Sequence, residues 1–558
     1  MDWLGFLLNS LMVGLGRFSF VATASISPVA KEHNLLERGY GPRSSVWAFS
    51  GIVCLVWYFT VLALAYSGWI EIMRKYRDKK RLATQVDARE AVSIIRPCKG
   101  IETEMVACLE SSILQEYPIH KFEVLFCVES RDDPCLPIIR ELLAKHARHD
   151  LKLLVGKSGL EDYYGPNPKI NNLSKGYRYA RNDIIWVLDA NVWVAPGILS
   201  RSIASLVKSL DNGTKTASRP VVLTHHIPLA LSVSQNDHVV PLSARLDEMF
   251  MFSSHAKFYA GFNKVSIAPC VNGKSNLYRR SDLDRAVKDI GGAAKKTNLF
   301  KDKQIQQEAR RITAKAVEMA HADVRNPFTE LTADSQTGNI VEREVSAHDQ
   351  LHHHGIEFFS TYIGEDNMIG TALWDMLGGR TGMTTDAVVQ PLQFGVRDQG
   401  LRNYIDRRVR WLRVRKYMVL AATLLEPTTE CFVIGIMGAW GLSWLLNGSF
   451  IIIFTLHCAA WCLSDRLQYL VLLHTIFQDD HIKDLPGFLM RTRNVPRGFA
   501  DWWKIWLLRE LLALPIWVKA MCGSVIDWRN KPFRIKSDLT AEELMPTSST
   551  SGNRGLYQ

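Results

Sequence analysis

From Val46 to Ile70 the chain runs 25 residues without a charged side chain. At about 1.5 Å per residue a helix of that length crosses the hydrocarbon core of a bilayer, and in lipid only such a helix can satisfy its own backbone. The basic cluster Arg74-Lys75-Tyr76-Arg77-Asp78-Lys79-Lys80-Arg81 follows directly. Its position places the C-terminal side of the span, and the domain that follows, on the cytosolic face. The net charge of +11 is concentrated beside apolar segments, here and again from Arg402 to Lys416. A lipid bilayer therefore accounts for the basic excess better than a nucleic acid does. The 10 cysteines form no CxxC pair, and Cys54, Cys431, Cys458 and Cys462 lie inside apolar runs, so they are expected to be reduced, structural thiols.

The spacing of apolar runs divides the chain into an N-terminal segment (1–45), the span (46–70), a first catalytic part (71–286), an insertion (287–355), a second catalytic part (356–417), C-terminal membrane helices (418–535) and a disordered tail (536–558). Trp3 to Ala24 is apolar but interrupted by Asn9 and Arg17, compatible with a signal peptide, an extra span or an interfacial helix. The insertion is polar, with a charged helix expected from about Gln304 to Met319 and disorder between about Asn326 and Asp349. His348 and His352-His353-His354 within it invite a metal reading, against the simpler one of a solvated loop. In the last apolar regions Glu426, Glu430, Asp465, Arg466, Arg509, Glu510 and Lys519 are too costly to face lipid, so they are expected to be paired within a bundle or to lie at the interface.

The cytosolic part is organised around Ile184-Ile185-Trp186-Val187-Leu188-Asp189-Ala190-Asn191, an apolar run ending in a carboxylate. With Val92 to Arg96, Phe122 to Glu129 and Leu151 to Val155 it makes four strands alternating with helices, a doubly wound α/β pattern whose ligands bind at the carboxyl edge of the sheet. Asp189 is placed there to hold a divalent cation, Mg²⁺ or Mn²⁺, or else to cap the next helix. Asp133 either meets a nucleoside or starts a helix. Glu365-Asp366 precedes a helical run, so one carboxylate can cap it and the other act as base. Asn167 to Leu173 offers donors, Lys169 among them, or a turn and cap. Arg407 and Arg410 project from one helical face beside Trp411, as a diphosphate clamp or a membrane-surface helix.

As an ordered set, Asp133, Asp189, Asp366 and Arg407-x-x-Arg410-Trp411 resemble the signature of inverting, processive-type GT-A glycosyltransferases, and more narrowly of the ceramide glucosyltransferases of fungi. Cys127 to Pro134, Asn167 to Leu173, Gly364-Glu365-Asp366, Glu426-Pro427 and Glu430-Cys431-Phe432 carry the narrower likeness, over about 46–286 and 356–535, with the insertion and tail outside it. The resemblance implies a Rossmann-like GT-A catalytic domain facing the cytosol from a multi-pass Golgi or endoplasmic reticulum membrane, between an N-terminal span and a C-terminal helical bundle. It implies transfer of glucose from UDP-glucose to the primary hydroxyl of ceramide with inversion. Asp366 would be the base; Asp133 and Asp189 would bind donor and metal; Arg407, Arg410 and Trp411 would hold diphosphate and acceptor. Lys99, Glu129, Lys169 and His255 are expected to contact substrate. Asp189-Ala190-Asn191 stands where the fold class often has Asp-x-Asp, so a single carboxylate would carry the metal. The rival readings are a polysaccharide synthase and a non-catalytic membrane-anchored nucleotide- or lipid-binding protein.

Overall fold

The computed structural model describes residues 42–77, 90–156, 163–208, 219–234, 240–292, 300–318, 328–345, 353–392, 400–477, 486–528, 531–536 and 539–544. The segment Trp3 to Ala24, His348, His352 and the tail beyond residue 544 lie outside these.

The uncharged run lies in helix α1 (Pro42–Tyr76). The chain then alternates: β1 (Val92–Cys98), α2 (Met105–Ile113), β2 (Phe122–Val128), α3 (Leu136–Lys145), β3 (Leu151–Gly156), α4 (Pro168–Tyr179), β4 (Ile184–Leu188) and α5 (Ile198–Lys208). β1 pairs in parallel with β2 and β4, and β2 with β3, as the four apolar runs predict. These strands are buried on both faces, which is why they read as apolar runs rather than alternations. Ile94, Val124, Phe126 and Trp186 face one core with α2, α3 and α5, while Ile95, Leu125, Cys127 and Ile185 face another with α4.

Beyond β4 the sheet turns mixed. β5 (Val221–Ser232) is followed by α6 (Leu242–Phe250), a π turn (Met251–His255), α7 (Ala256–Val265), β6 (Ser275–Arg279) and α8 (Arg280–Gly292). β6 is antiparallel to both β4 and β5. After α9 (Lys303–Glu318) come β7 (Phe328–Ala333) and β8 (Ile340–Val345), then α10 (Glu365–Leu377) and β9 (Arg380–Leu392). The nine strands stand in the order β8-β7-β3-β2-β1-β4-β6-β5-β9.

The insertion differs from expectation. Where disorder was expected between about residues 326 and 349, β7 and β8 form an antiparallel hairpin that joins the sheet through β3. Arg131 donates to Thr329 (2.9 Å), Arg140 to Glu342 (3.1 Å) and Tyr179 to Glu330 (2.9 Å), so polar side chains fasten a hairpin whose outer strand is mostly exposed. His353 bonds Asp284 at 2.5 Å and His354 bonds Glu357 at 2.7 Å, anchoring the chain as it re-enters the catalytic part. The end of the chain also departs from the sequence reading: β10 (Val525–Trp528) and β11 (Lys531–Ile535), in the region read as membrane helices, and β12 (Ala541–Glu543), in the expected tail, form a small sheet. Its Ile526, Phe533 and Ile535 pack on Ile363, Val414 and Tyr417.

The C-terminal helices are α11 (Leu401–Met418), α12 (Leu420–Leu425), α13 (Cys431–Leu446), α14 (Phe450–Phe477), α15 (Gly487–Arg491) and α16 (Phe499–Met521). Among the described residues Val46–Tyr76 and Phe450–Phe477 are long and apolar enough to cross a membrane. Leu420–Thr429 with Cys431–Leu446, bent by 74°, makes a third if that pair is one span.

The helix from Leu242 to Val265, which the sequence does not separate from the catalytic domain, shares one apolar cluster with these helices. Two glycines let α1 and α7 touch. A Cβ on Gly68 would lie 1.9 Å from the Lys257 carbonyl, and one on Gly261 2.8 Å from that of Leu64. Such small residues permit backbone contact between helices in lipid.

Charges in the bundle are paired, as their cost requires. Lys257 meets Asp465 at 2.7 Å, 4.1 Å above the Trp461 ring, and Trp506 donates to Asp465 at 2.9 Å. Arg509 pairs with Glu430 and, at 2.7 Å, with Glu510. Gln468 donates to the carbonyls of Phe252 (2.7 Å) and Ser253 (2.8 Å) in the π turn. Lys257→Met strands the buried Asp465 and is expected to cost about 3–5 kcal/mol, whereas Lys257→Met with Asp465→Leu recovers most of that loss. Thermal unfolding of the purified protein in detergent compares the two; an equally unstable double variant removes the pair as the cause.

Candidate active site

The site grows from the carboxyl ends of β1, β2 and β4. Asp189 follows β4, and the buried Arg96 holds its loop by donating to the carbonyls of Ala190 (3.3 Å) and Val192 (3.1 Å). On the other side of β1, Asp133 accepts from the amide of Gly100 at 2.9 Å and from that of Cys135 at 3.0 Å. Gly100 has φ 67°, a conformation that suits glycine, so Asp133 fixes the turn that ends β1. Lys99 and Glu129, half-exposed at the tips of β1 and β2, pair with one another.

The Asn-Pro-Lys segment caps a helix and also carries an ammonium to Asp189. Asn167 caps α4, its side-chain oxygen accepting from the amides of Lys169 (2.9 Å) and Ile170 (3.2 Å), with Pro168 in the first turn. Its amide nitrogen donates to the Tyr362 carbonyl (2.7 Å) and to Glu365 (3.1 Å), tying α4 to the start of α10. Asn172 donates to the carbonyls of Cys98 (3.0 Å) and Cys127 (2.8 Å), locking α4 across the ends of β1 and β2. Lys169 brings the charge of this segment into the acidic cluster. Its ammonium lies 2.8 Å from Asp189, 3.0 Å from Glu365 and 3.0 Å from the Gly273 carbonyl.

A second lysine, Lys274, completes the cluster, 3.1 Å from the other Asp189 oxygen and 3.1 Å from the Asn191 side-chain oxygen. Sequence reasoning missed it. The signal was a register: β6 runs antiparallel to β4 with Ser275 opposite Leu188, which puts Lys274 across from Asp189.

Burial pushes the Asp189 carboxyl up, but Lys169 and Lys274 outweigh it and hold the group down at about 2. Burial likewise opposes the charge of Lys169, yet Asp189 and Glu365 hold it well above the usual lysine range. Asp366 goes the other way. Burial first, then the neighbouring Glu365, push its carboxyl up to about 7, with Lys169 restraining the rise. Its Oδ2 would be 3.4 Å from a Cβ on Gly273, where Lys169 Nζ would be 3.3 Å away, so both line the same bare backbone. One ionised carboxylate thus stands beside one poised to exchange a proton near neutrality, the division of labour that acid–base chemistry requires.

The basic helix α11 adjoins this cluster at its far end: a Cβ on Gly364 would lie 2.9 Å from Met418 Sδ and 3.2 Å from Val414 Cγ1. Of the expected clamp, Arg407 pairs with Asp247 on α6, and Trp411 packs near Phe250 at 6.3 Å between rings. Arg410 is half-buried on the same helix. His255 stacks on Tyr259 (5.3 Å, 18°), and burial, then Arg408 and Arg415, hold its imidazole down at about 3, so it is neutral. The structure therefore brings Asp189, Asp366 and Lys169 together, sets Asp133, Lys99 and Glu129 along the neighbouring strand ends, and puts Arg407 and Trp411 against the helix from Leu242 to Val265, on which His255 lies.

For a metal ion the donor set is incomplete. Asp189 and Asn191 offer hard oxygens suited to Mg²⁺ or Mn²⁺. Among the described residues, however, no group of three or more His, Cys, Asp or Glu side chains is placed to hold one, so a cation here needs ligand oxygens from outside the protein.

The family model for glycosyl transferase family 21 matches residues 55–344 and 348–541. The chain belongs to that family. The match takes in nearly all of the insertion and part of the tail, both expected to lie outside the likeness. The chain is 44% identical to a ceramide glucosyltransferase of Komagataella phaffii, over 96% of this chain and 100% of that protein. It is 41% identical to one of Candida albicans (89% and 98%) and 31% identical to one of Pyricularia oryzae (90% and 96%). A solved mannosyltransferase of Pyrobaculum calidifontis, in complex with GDP-Man and Mn²⁺, covers 85% of this chain and 99% of its own at 13% identity, but with a TM-score of 0.35 it carries no weight for the site. Family membership makes the protein a glycosyltransferase.

Because Lys169 is the charge that restrains the Asp366 carboxyl, Lys169→Met is expected to move the acid limb of a pH–rate profile above its starting point near 7. The same substitution leaves Asp189 and Glu365 without their shared counter-charge and lowers thermal stability. A limb that stays in place would separate Lys169 from the titration of Asp366.

Proposed function

We propose that this membrane protein transfers glucose from UDP-glucose to the primary hydroxyl of ceramide with inversion, giving β-glucosylceramide and UDP. The observation that carries the reading is Asp366: a carboxyl raised to about 7, beside Asp189, which is held ionised by two lysines at the ligand edge of the sheet. The relatives named above lend it the acceptor.

In this mechanism the ceramide oxygen attacks the anomeric carbon from the face opposite UDP while its proton passes to Asp366. The new carbon–oxygen bond forms as the bond to the β-phosphate oxygen breaks, and that oxygen leaves with the electron pair. Asp366 contributes by standing deprotonated within a site that also orients the hydroxyl. Asp133 and Asp189 flank the donor from the ends of β2 and β4, with Lys99 and Glu129 at the nucleotide side. Asp189 would hold Mg²⁺ or Mn²⁺, which supplies positive charge to the diphosphate. Arg410 and Trp411 on α11 line the approach from the membrane. Arg407, paired with Asp247, fixes α11 against α6, and neutral His255 belongs to the acceptor side of the same interface.

Ceramide is confined to the bilayer, so the catalytic edge must lie at its surface. The docking of Leu242 to Val265 among the membrane helices supports that placement, and the basic cluster after α1 supports a cytosolic face, in a Golgi or endoplasmic reticulum membrane.

Asp366→Asn is expected to lower turnover about 10²- to 10⁴-fold with UDP-glucose binding retained. In the unaltered enzyme kcat/KM should fall about tenfold per pH unit below 7, because protonated Asp366 cannot accept the hydroxyl proton. Product analysis with UDP-glucose and either ceramide or an oligosaccharide checks the acceptor. Turnover that survives Asp366→Asn removes the base assignment, and glucose delivered to the oligosaccharide removes the lipid one.

A further inference from the structure

The two lysines at Asp189 are not equivalent. An ammonium has three N–H donors. Lys169 spends all three, on Asp189 (2.8 Å), Glu365 (3.0 Å) and the Gly273 carbonyl (3.0 Å), and it is rooted in the first turn of α4 beneath the Asn167 cap. Lys274 spends two, on Asp189 (3.1 Å) and Asn191 (3.1 Å), and its side chain keeps 21% of its exposure. Its backbone is locked to the same partner, since the Asp189 amide donates to the Lys274 carbonyl at 3.1 Å. The ammonium is therefore held against Asn191, the residue that stands where an Asp-x-Asp motif would carry its second acid, with one of its three N–H donors left over from these contacts. Gly273 beside it presents bare backbone between Lys169 and Asp366, leaving room for a ligand to come close.

We propose that Lys274 binds the diphosphate of the nucleotide donor through its remaining N–H, while Lys169 is a positioning residue that fixes Asp189 and Glu365 without touching the donor. The inference rests on the nucleoside-diphosphate-sugar reading given above and adds to it the residue that meets the phosphate. It gives a physical role to the departure from Asp-x-Asp. With Asn191 in place of a second carboxylate, Lys274 lies beside one anionic group instead of two, and its charge is left to meet the incoming phosphates. When the glycosidic bond breaks, the electron pair moves to the β-phosphate oxygen, and an ammonium already in place stabilises that charge without reorganising.

The test uses the full-length enzyme in detergent with Mg²⁺ present, and compares binding of UDP with binding of uridine, which lacks the phosphates, by calorimetry and competition. Lys274→Met is expected to weaken UDP about tenfold or more and leave uridine unchanged, and Lys274→Arg is expected to keep UDP within about threefold of the unaltered enzyme. Unchanged UDP affinity in Lys274→Met overturns the proposal, and so does an equal loss for UDP and uridine, which would mark Lys274 as structural. Failure of the unaltered enzyme to bind UDP overturns instead the donor reading on which the proposal rests.

Discussion

The contact between the Lys169 ammonium and the carboxylates of Asp189 and Glu365 is the interaction on which the site depends. It joins three elements distant in sequence: the end of β4, the start of α4 and the start of α10. Three acids share one crevice; the Lys169 ammonium lies between two of them, and Lys274 meets Asp189 on its other oxygen. The third, Asp366, is pushed up by burial and then by the neighbouring Glu365, and Lys169 offsets only part of that rise. Asn167 reinforces the same junction, its neutral amide donating to the Tyr362 carbonyl and to Glu365, so the geometry does not rest on the lysine alone.

A second set of charges connects the catalytic part to the membrane helices. Glu430, Asp465, Arg509 and Glu510 looked out of place as spanning residues; in the fold Lys257 on α7 meets Asp465 on α14, and Arg509 on α16 meets Glu430 and Glu510. Hydrophobic attraction discriminates poorly among helices surrounded by lipid, whereas a buried ion pair accepts only the partner that completes it. The π turn at Met251–His255 fits the same scheme, since the carbonyls of Phe252 and Ser253 are met by Gln468 from α14.

The four parallel strands were legible because burial on both faces leaves continuous apolar runs, and Asp189 was legible because such a run ended on it. The parts that sequence did not disclose share a physical cause, which is that their partners are remote or their strands are polar. β7 and β8 carry Glu, Arg and Thr, and polar side chains fasten them to the sheet, so their composition resembles that of a loop. Lys274 became visible only through the antiparallel register of β6, unexpected in a sheet read as parallel. Arg407 matched a phosphate clamp by spacing, yet its carboxylate partner Asp247 lies 160 residues upstream on a helix whose membrane docking no periodicity revealed. The Asn-Pro-Lys stretch was half legible: the cap was foreseen and falls to Asn167, whereas the contacts of Lys169 with Asp189 and Glu365 join residues too remote in sequence to be read.

The crossing of Gly68 and Gly261 has a mechanical outcome. With one backbone resting on another, nothing compressible separates the first span from the helix that leads into β6 and Lys274. A larger side chain at either glycine would have to push that helix and the span apart.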